Sequence, residues 1–144
     1  MLIGLLGPQP TTTFNGRYYR LDGARCDPRP VQQPHPPLCI GGNGEKRTLL
    51  TAAKFAQHWN FDIGTLDQFR RTRDVLYQHC SSVGRDPGEI RLSAQVRFTG
   101  DAAATAATAA TFAAEGADLA IVYLPVPYTA HVLEPLAKEL AQVR

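Results

Sequence analysis

The chain has little that would mark a metal, disulfide, nucleic-acid or membrane protein. Its three cysteines form no Cys-x-x-Cys pair and its four histidines form no His-x-His or His-Glu-x-x-His motif, so we predict reduced thiols and no metal site. The formal charge of +2 comes without a basic cluster interleaved with aromatic residues, which argues against nucleic-acid binding. The apolar start, residues 1–6, is too short for a signal peptide or a membrane span. We expect a cytoplasmic protein without a membrane segment.

The composition is that of a globular domain preceded by an unusual arm. With 144 residues, 44% hydrophobic and 19% charged, the chain can bury a core and is too apolar for a disordered protein. The stretch that follows the apolar start is rich in proline, glycine and threonine. Proline at that density blocks helix and central strand. We therefore predict a helix remnant and an extended Pro-rich arm over residues 1–36, and a folded domain over residues 37–144.

In the predicted domain, short apolar runs alternate with segments of helical periodicity. Four runs are predicted as strands, at residues 38–40, 58–61, 90–98 and 119–124. We place Cys39 in the core, Asn43 as the cap of the first helix and Pro135 in the first turn of the last helix. The order β-α-β-α-β-α-β-α indicates a parallel α/β sheet with right-handed crossovers. An open doubly wound sheet and a piece of a (β/α)8 barrel both fit this order.

Several stretches of the sequence together form a family pattern. They are residues 11–19 (Thr-Thr-Thr-Phe-Asn-Gly-Arg-Tyr-Tyr), 34–46 (Pro-His-Pro-Pro-Leu-Cys-Ile-Gly-Gly-Asn-Gly-Glu-Lys), 52–60 (Ala-Ala-Lys-Phe-Ala-Gln-His-Trp-Asn), 80–90 and 116–118. In these stretches the chain resembles the luciferase-like monooxygenase family, and most closely its mycobacterial-type branch that uses the deazaflavin coenzyme F420. The resemblance extends over nearly the whole chain, and its Pro-Pro-x-x-Ile-Gly-Gly and Trp-Asn segments are together fairly specific.

The resemblance implies which part of a barrel this chain forms. Its predicted strands would be the fifth to eighth strands of the family's (β/α)8 barrel, whose members have about 250 residues or more. We therefore predict the C-terminal half, (βα)4, of a TIM-type barrel. One position departs from the family pattern, because Gln57 stands where Asp is usual. If that Asp orients a loop in the family, its replacement favours a relaxed or decayed site.

The candidate cofactor loop consists of Gly41, Gly42, Asn43 and Gly44. Glycines let backbone N–H groups approach an anion, and the start of the following helix adds its positive dipole. Barrel enzymes also place their ligands where strands end. The resemblance implies that this loop contacts the cofactor. The alternative is a tight turn that only joins a strand to a helix.

Trp59 and Asn60 lie at the end of the next predicted strand. The ring of Trp59 could line the flavin pocket while Asn60 forms a hydrogen bond into it, although a buried tryptophan more often belongs to the core. His58 is the histidine best placed for general acid or base chemistry, with a structural role as the commoner alternative. Arg97, near the end of the third strand, could reach a phosphate, although the favoured interpretation is that its side chain is simply exposed to solvent. No catalytic residue is assigned.

The function implied by the resemblance is a flavin- or deazaflavin-dependent oxidoreductase of the monooxygenase type. Coenzyme F420 is the predicted cofactor, FMN is the alternative, and the small organic substrate is not identified. A half-barrel exposes two unpaired sheet edges, so we expect activity to require a homo-oligomer or a complementary N-terminal half. The competing hypothesis is an inactive truncated half-barrel that acts only as a binding or oligomerising module.

Overall fold

The first 37 residues form a compact unit of their own. In a computed structural model that describes residues 1–127 and 129–143, the chain divides into the units Met1–Pro37 and Leu38–Arg144. The first unit contains helix α1 (Leu2–Leu6) and the antiparallel strands β1 (Thr12–Asn15) and β2 (Arg20–Ala24). The predicted extended arm therefore includes a β-hairpin. The hairpin can form because residues 11–27 contain no proline.

The second unit alternates strands and helices. Its elements are β3 (Cys39–Gly41), α2 (Thr48–Phe55), β4 (His58–Phe61), α3 (Leu66–Val83), β5 (Arg91–Arg97), α4 (Ala102–Ala114), β6 (Leu119–Tyr123) and α5 (Ala130–Leu140). The four strands form one parallel sheet in the order β3-β4-β5-β6. This topology confirms the predicted α/β class with a parallel sheet. Within the described ranges, no helix is both long and apolar enough to cross a membrane.

Local sequence signals set the ends of the longest helix. Thr65 Oγ1 accepts a hydrogen bond from the N–H of Gln68 at 3.2 Å, and Gln68 Oε1 accepts one from the N–H of Thr65 at 2.9 Å. This capping box satisfies N–H groups that the first turn of α3 cannot pair internally. At the other end Gly84 adopts a left-handed φ of 70°, where a side chain would be strained.

Two predicted details of other helices are wrong. Asn43 does not cap α2, because the helix begins only at Thr48. The Oδ1 atom of Asn43 accepts a hydrogen bond from the N–H of Asp62 instead. Pro135 lies inside α5 and not in its first turn. Because proline contributes no N–H, α5 contains one fewer internal donor than its length would allow.

The helices cover one face of the sheet, and aromatic rings fill the space between the two layers. Trp59 is fully buried and stacks on Phe69 with ring centroids 6.0 Å apart. Phe61 and Phe112 each meet Phe69 edge-on at 5.4 Å. Stacked and edge-on pairs are the arrangements that the ring quadrupoles favour. Phe69, in α3, is therefore the residue around which the core of the second unit is packed.

The face of the sheet opposite to the aromatic core, which we call the open face, is more polar. Because side chains alternate along a strand, Ile40 packs on the core while Cys39 is exposed on the open face. The prediction that Cys39 lies in the core is therefore wrong. At the ends of this face Arg91, Arg97 and Tyr123 are also exposed.

The strands are staggered across the sheet. One row of register partners runs from Gly41 through Asn60 and Ser93 to Leu119, and thus from the last residue of β3 to the first of β6. Asp118, directly before β6, extends this pairing: its N–H donates to the Leu92 carbonyl at 2.8 Å and its Oδ2 accepts from the Leu92 N–H at 2.7 Å. A stagger of this kind accompanies the strand tilt of a closed barrel.

Removing the central ring of the core should destabilise the second unit strongly. We expect Phe69→Ala to lower the free energy of unfolding by about 3–5 kcal/mol, because the substitution leaves a cavity among three aromatic rings. Phe55→Ala is the matched control; Phe55 is 46% exposed and its loss should cost about 1 kcal/mol or less. Urea unfolding followed by circular dichroism measures both. Equal costs for the two variants would contradict this account of the core.

Candidate functional site

The loop after β3 is held against the end of β4 by hydrogen bonds. The N–H of Gly42 donates to the Asn60 carbonyl at 3.1 Å, and the Gly42 carbonyl accepts from Nε1 of Trp59 at 3.0 Å. The Asn43 side chain adds the bond to the Asp62 N–H, at 3.1 Å. Gly42 has a φ of 110°, a conformation that side chains rarely allow. The structure thus brings the predicted loop together with Trp59 and Asn60 at the carboxyl ends of two neighbouring strands.

The other two glycines of the loop have different surroundings. A Cβ added to Gly44 would lie 2.8 Å from Thr48 Oγ1, so glycine there allows the close approach of the loop to α2. A Cβ added to Gly41 would lie 3.7 Å from Asn60 Nδ2, which is an ordinary contact. Internal packing therefore favours glycine at position 44, where the Thr48 side chain would have to move to make room for a Cβ, but not at position 41. Because Gly41 has no side chain, space is left on the open face of the sheet beside Asn60.

The loop that leads into α2 carries backbone N–H groups and positive charge. In the part of the chain that the structure describes, the N–H groups of Asn43 and Gly44 donate no hydrogen bond, and Lys46 and Arg47 are exposed nearby. The carboxylate of Glu45 would oppose an anion here, but it is 2.7 Å from Nε of Arg71. That ion pair offsets its charge. These N–H donors belong to the loop and not to α2, which begins at Thr48; backbone N–H groups beside exposed cationic side chains are suited to an anion such as a phosphate group.

Trp59 does not face the open side of the sheet. Its ring is fully buried on the helix-covered face, and its polar edge is occupied by the hydrogen bond to Gly42. The structure therefore places this residue in the core, and it acts on the loop through its indole N–H. A flavin that lies on the open face would not touch the ring. The direct cofactor contact predicted for Trp59 stays a prediction, and it would require a cofactor that reaches the helix-covered face, because odd and even positions of β4 point to opposite faces.

Asn60, in contrast, lies on the open face and belongs to a hydrogen-bonded chain of three side chains. Ser93 Oγ is 2.8 Å from Asn60 Oδ1 and 2.7 Å from His58 Nε2. Ser93 is fully buried, whereas His58 and Asn60 are half-buried. Sequence reasoning missed Ser93. The alternation of residues 90–98 assigns Ser93 to the polar face of its strand, but only the pairing of β4 with β5 brings it next to Asn60.

His58 lies at the amino-terminal end of β4, away from the loop after β3. Burial is the main cause that lowers its pKa below the usual 6.5; the charge of Arg91 lowers the pKa further and that of Asp118 opposes the shift. The imidazole is therefore neutral at pH 7. This predicted acid or base candidate reaches Asn60 only through Ser93. Within residues 1–127 and 129–143, no three His, Cys, Asp or Glu side chains are grouped so that they could hold a metal.

Gln57 retains an acceptor at the position where the family pattern has Asp. Its Oε1 accepts a hydrogen bond from the N–H of Leu38 at 3.0 Å, directly before β3. Its Nε2 donates to the Phe55 carbonyl at 3.3 Å. Both partners are backbone groups, so the side chain ties the start of β3 to the segment between α2 and β4. The substitution therefore keeps a side-chain oxygen available for this contact.

The family model that describes luciferase-like monooxygenases matches residues 2–144. Among solved structures, an F420-dependent secondary alcohol dehydrogenase in complex with an F420–acetone adduct is 21% identical, with a TM-score of 0.56 over 65% of this chain and 28% of that one. The coenzyme F420-dependent tetrahydromethanopterin reductase from Methanopyrus kandleri is 20% identical, with a TM-score of 0.58 over 77% of this chain and 33% of that one. These likenesses concern the fold, and this chain spans at most about a third of either protein.

Removing the indole N–H should weaken the attachment of the loop to the core. In Trp59→Phe the Gly42 carbonyl loses its side-chain donor, and we expect the free energy of unfolding to fall by about 1–3 kcal/mol. Hydrogen exchange of the Gly42 N–H should accelerate as well. Because the chain has a single tryptophan, circular dichroism replaces fluorescence as the probe. Unchanged stability and unchanged exchange in the variant would show that the hydrogen bond does not hold the loop.

The lowered pKa of His58 should make stability depend on pH. The unfolded chain takes up this proton near pH 6.5, whereas the folded chain takes it up only at lower pH. The unfolded state then binds more protons, so the free energy of unfolding decreases as the pH falls through 6.5. We expect His58→Gln to show a smaller decrease between pH 7 and about pH 5.5. NMR titration of the His58 ring gives the pKa directly, and a value at or above 6.5 would contradict the prediction.

Proposed function

Because this chain belongs to the luciferase-like monooxygenase family, we propose that it is the cofactor-binding (βα)4 part of a flavin- or deazaflavin-dependent oxidoreductase. Coenzyme F420 is the proposed cofactor and FMN the alternative. The observation that carries the proposal is the space beside Gly41 and Asn60, where an open sheet face meets a loop with N–H donors. The two solved structures compared above are those of F420-dependent enzymes, which favours the deazaflavin.

The described residues fit the two parts of such a cofactor. F420 and FMN each combine a planar ring with a phosphate group. The N–H groups of Asn43 and Gly44, with Lys46 and Arg47 close by, are suited to the phosphate. The Asn60 amide is suited to the polar edge of the ring. When bound, the cofactor supplies the hydride chemistry, and the residues of the chain bind it and orient it.

We propose that a further chain completes the barrel. Among the described residues, β3 and β6 each pair with a strand on one side only. Two candidates fit these edges, a second copy of this chain and a complementary N-terminal half. Either would cover the open face and exclude water from a small organic substrate, whose hydride transfer needs a dry site.

The second candidate function is an inactive half-barrel that binds or oligomerises. The free edges of β3 and β6 favour it, together with Leu119 and Tyr123, which are 44% and 52% exposed at the two ends of β6. Both functions require association, but only the first requires a cofactor. Sedimentation equilibrium in the presence and absence of cofactor therefore separates them: a cofactor-independent oligomer that never binds flavin supports the second function.

Cofactor binding tests the first function directly. We expect saturable binding of oxidised F420 and weaker binding of FMN, both followed by quenching of cofactor fluorescence. Asn60→Ala should weaken binding about tenfold, as expected for the loss of one hydrogen bond at about 1.4 kcal/mol. Thr108→Ala, on the exposed side of α4, is the control and should bind like the unmodified chain. The proposal fails if the folded protein binds neither cofactor, or if Asn60→Ala binds both as tightly as the control.

A further inference from the structure

The hydroxyl of Ser93 determines which of its two hydrogen-bond partners donates and which accepts. A serine hydroxyl has one proton to donate and two lone pairs that accept. That proton points to Asn60 Oδ1, 2.8 Å away. The second neighbour, His58 Nε2 at 2.7 Å, must therefore donate to Ser93. The chain of bonds runs in one direction, from the imidazole through the hydroxyl to the amide oxygen.

The direction of this chain orients the amide of Asn60. Its oxygen is occupied by Ser93, so its Nδ2 donors point elsewhere. A Cβ added to Gly41 would lie 3.7 Å from Asn60 Nδ2. The amide nitrogen of Asn60 therefore lies beside the space that the glycine leaves. If the amide were reversed, Nδ2 would donate to Ser93 Oγ and the serine proton would turn away from Asn60, either to His58 Nε2, with the imidazole hydrogen moved to Nδ1, or to no described partner. The second arrangement leaves a hydroxyl proton unpaired on a fully buried serine.

We propose that His58 and Ser93 are positioning residues that hold the amide of Asn60 as a hydrogen-bond donor toward the space beside Gly41. This inference rests on the proposed function, because it takes that space to be occupied by the cofactor ring. A fixed donor selects for a ligand atom that accepts, such as a ring carbonyl oxygen. It selects against a ligand that presents an N–H at the same point, because two donors would then face each other.

The surroundings of the three residues support a positioning role. They lie on the open face of the sheet, whereas the aromatic core is on the other face. Arg91 is the register partner of His58, and Asp118 also acts on its charge. Neither forms a hydrogen bond with the three side chains within the described residues. The chain of bonds therefore ends at the Asn60 amide.

NMR of the protein without any ligand tests the direction of the chain. With 15N-labelled histidine at pH 7, we expect His58 to carry its hydrogen on Nε2, with Nδ1 unprotonated. Ser93→Ala should remove this preference and shift the side-chain amide protons of Asn60, while Ser93→Thr, which keeps a hydroxyl, should restore both. A hydrogen on Nδ1, or a tautomer that is unaffected by Ser93→Ala, would overturn the proposal. Should Ser93→Ala fail to fold, the Asn60 amide shifts in His58→Gln decide the same point.

Affinity for F420 and FMN tests the consequence. We expect Ser93→Ala to weaken binding several-fold and Ser93→Thr to stay within about twofold of the unmodified chain. Because Ser93 acts through Asn60, adding Ser93→Ala to Asn60→Ala should cause no further loss, whereas independent effects would multiply. Multiplied losses overturn the proposal. If the unmodified chain binds neither cofactor, the proposed function fails, and the tautomer of His58 still decides whether the residues position Asn60.

Discussion

The hydrogen bond from the Trp59 indole to the Gly42 carbonyl joins the core of the second unit to its candidate site. The position of the ring is fixed by its burial in the core and by its stacking on Phe69. A buried indole N–H requires an acceptor, and the acceptor within reach is a carbonyl of the loop. The loop is thereby held at the end of β4. Gly42 has a positive φ, and with this conformation its carbonyl accepts from the Trp59 indole while its N–H donates to the Asn60 carbonyl.

This constraint explains how one short strand can both build the core and present polar side chains on the open face. β4 has four residues, and alternate positions serve different purposes. Trp59 and Phe61 face the helices and build the core, whereas His58 and Asn60 face the open side with Ser93. A change on the covered face acts on the loop through the backbone and the indole. A change on the open face acts on the hydrogen bonds between His58, Ser93 and Asn60, and through them on the cofactor site proposed beside Gly41.

The order of the elements and the family could be predicted from the sequence, because periodicity and motifs are local properties. The strands at residues 58–61 and 119–124 and the helix that ends at Gly84 are examples. The face of Cys39 could not be predicted, since β3 has only three residues and so short a run fits either phase of alternation. Ser93 was missed for another reason. Its neighbours come from the register between strands, which a pattern along one strand does not contain. The role of Asn43 likewise depends on Asp62, a distant partner that capping rules do not consider.

The pairing of Asp118 with Leu92 has a consequence for how this sheet tolerates change. A slip of one residue in β6 would exchange its two faces and send Ala120 and Val122 outward. Asp118 opposes such a slip, since its carboxylate reaches the Leu92 N–H only when its own N–H meets the Leu92 carbonyl. The register of β6 is thus fixed by the residue that directly precedes the strand. A change of length in the turn at Glu115 and Gly116 would disturb the ion pairs of Glu115 with Arg70 and Arg73, but the pairing of Asp118 with Leu92 would still fix which residues of β6 face the core.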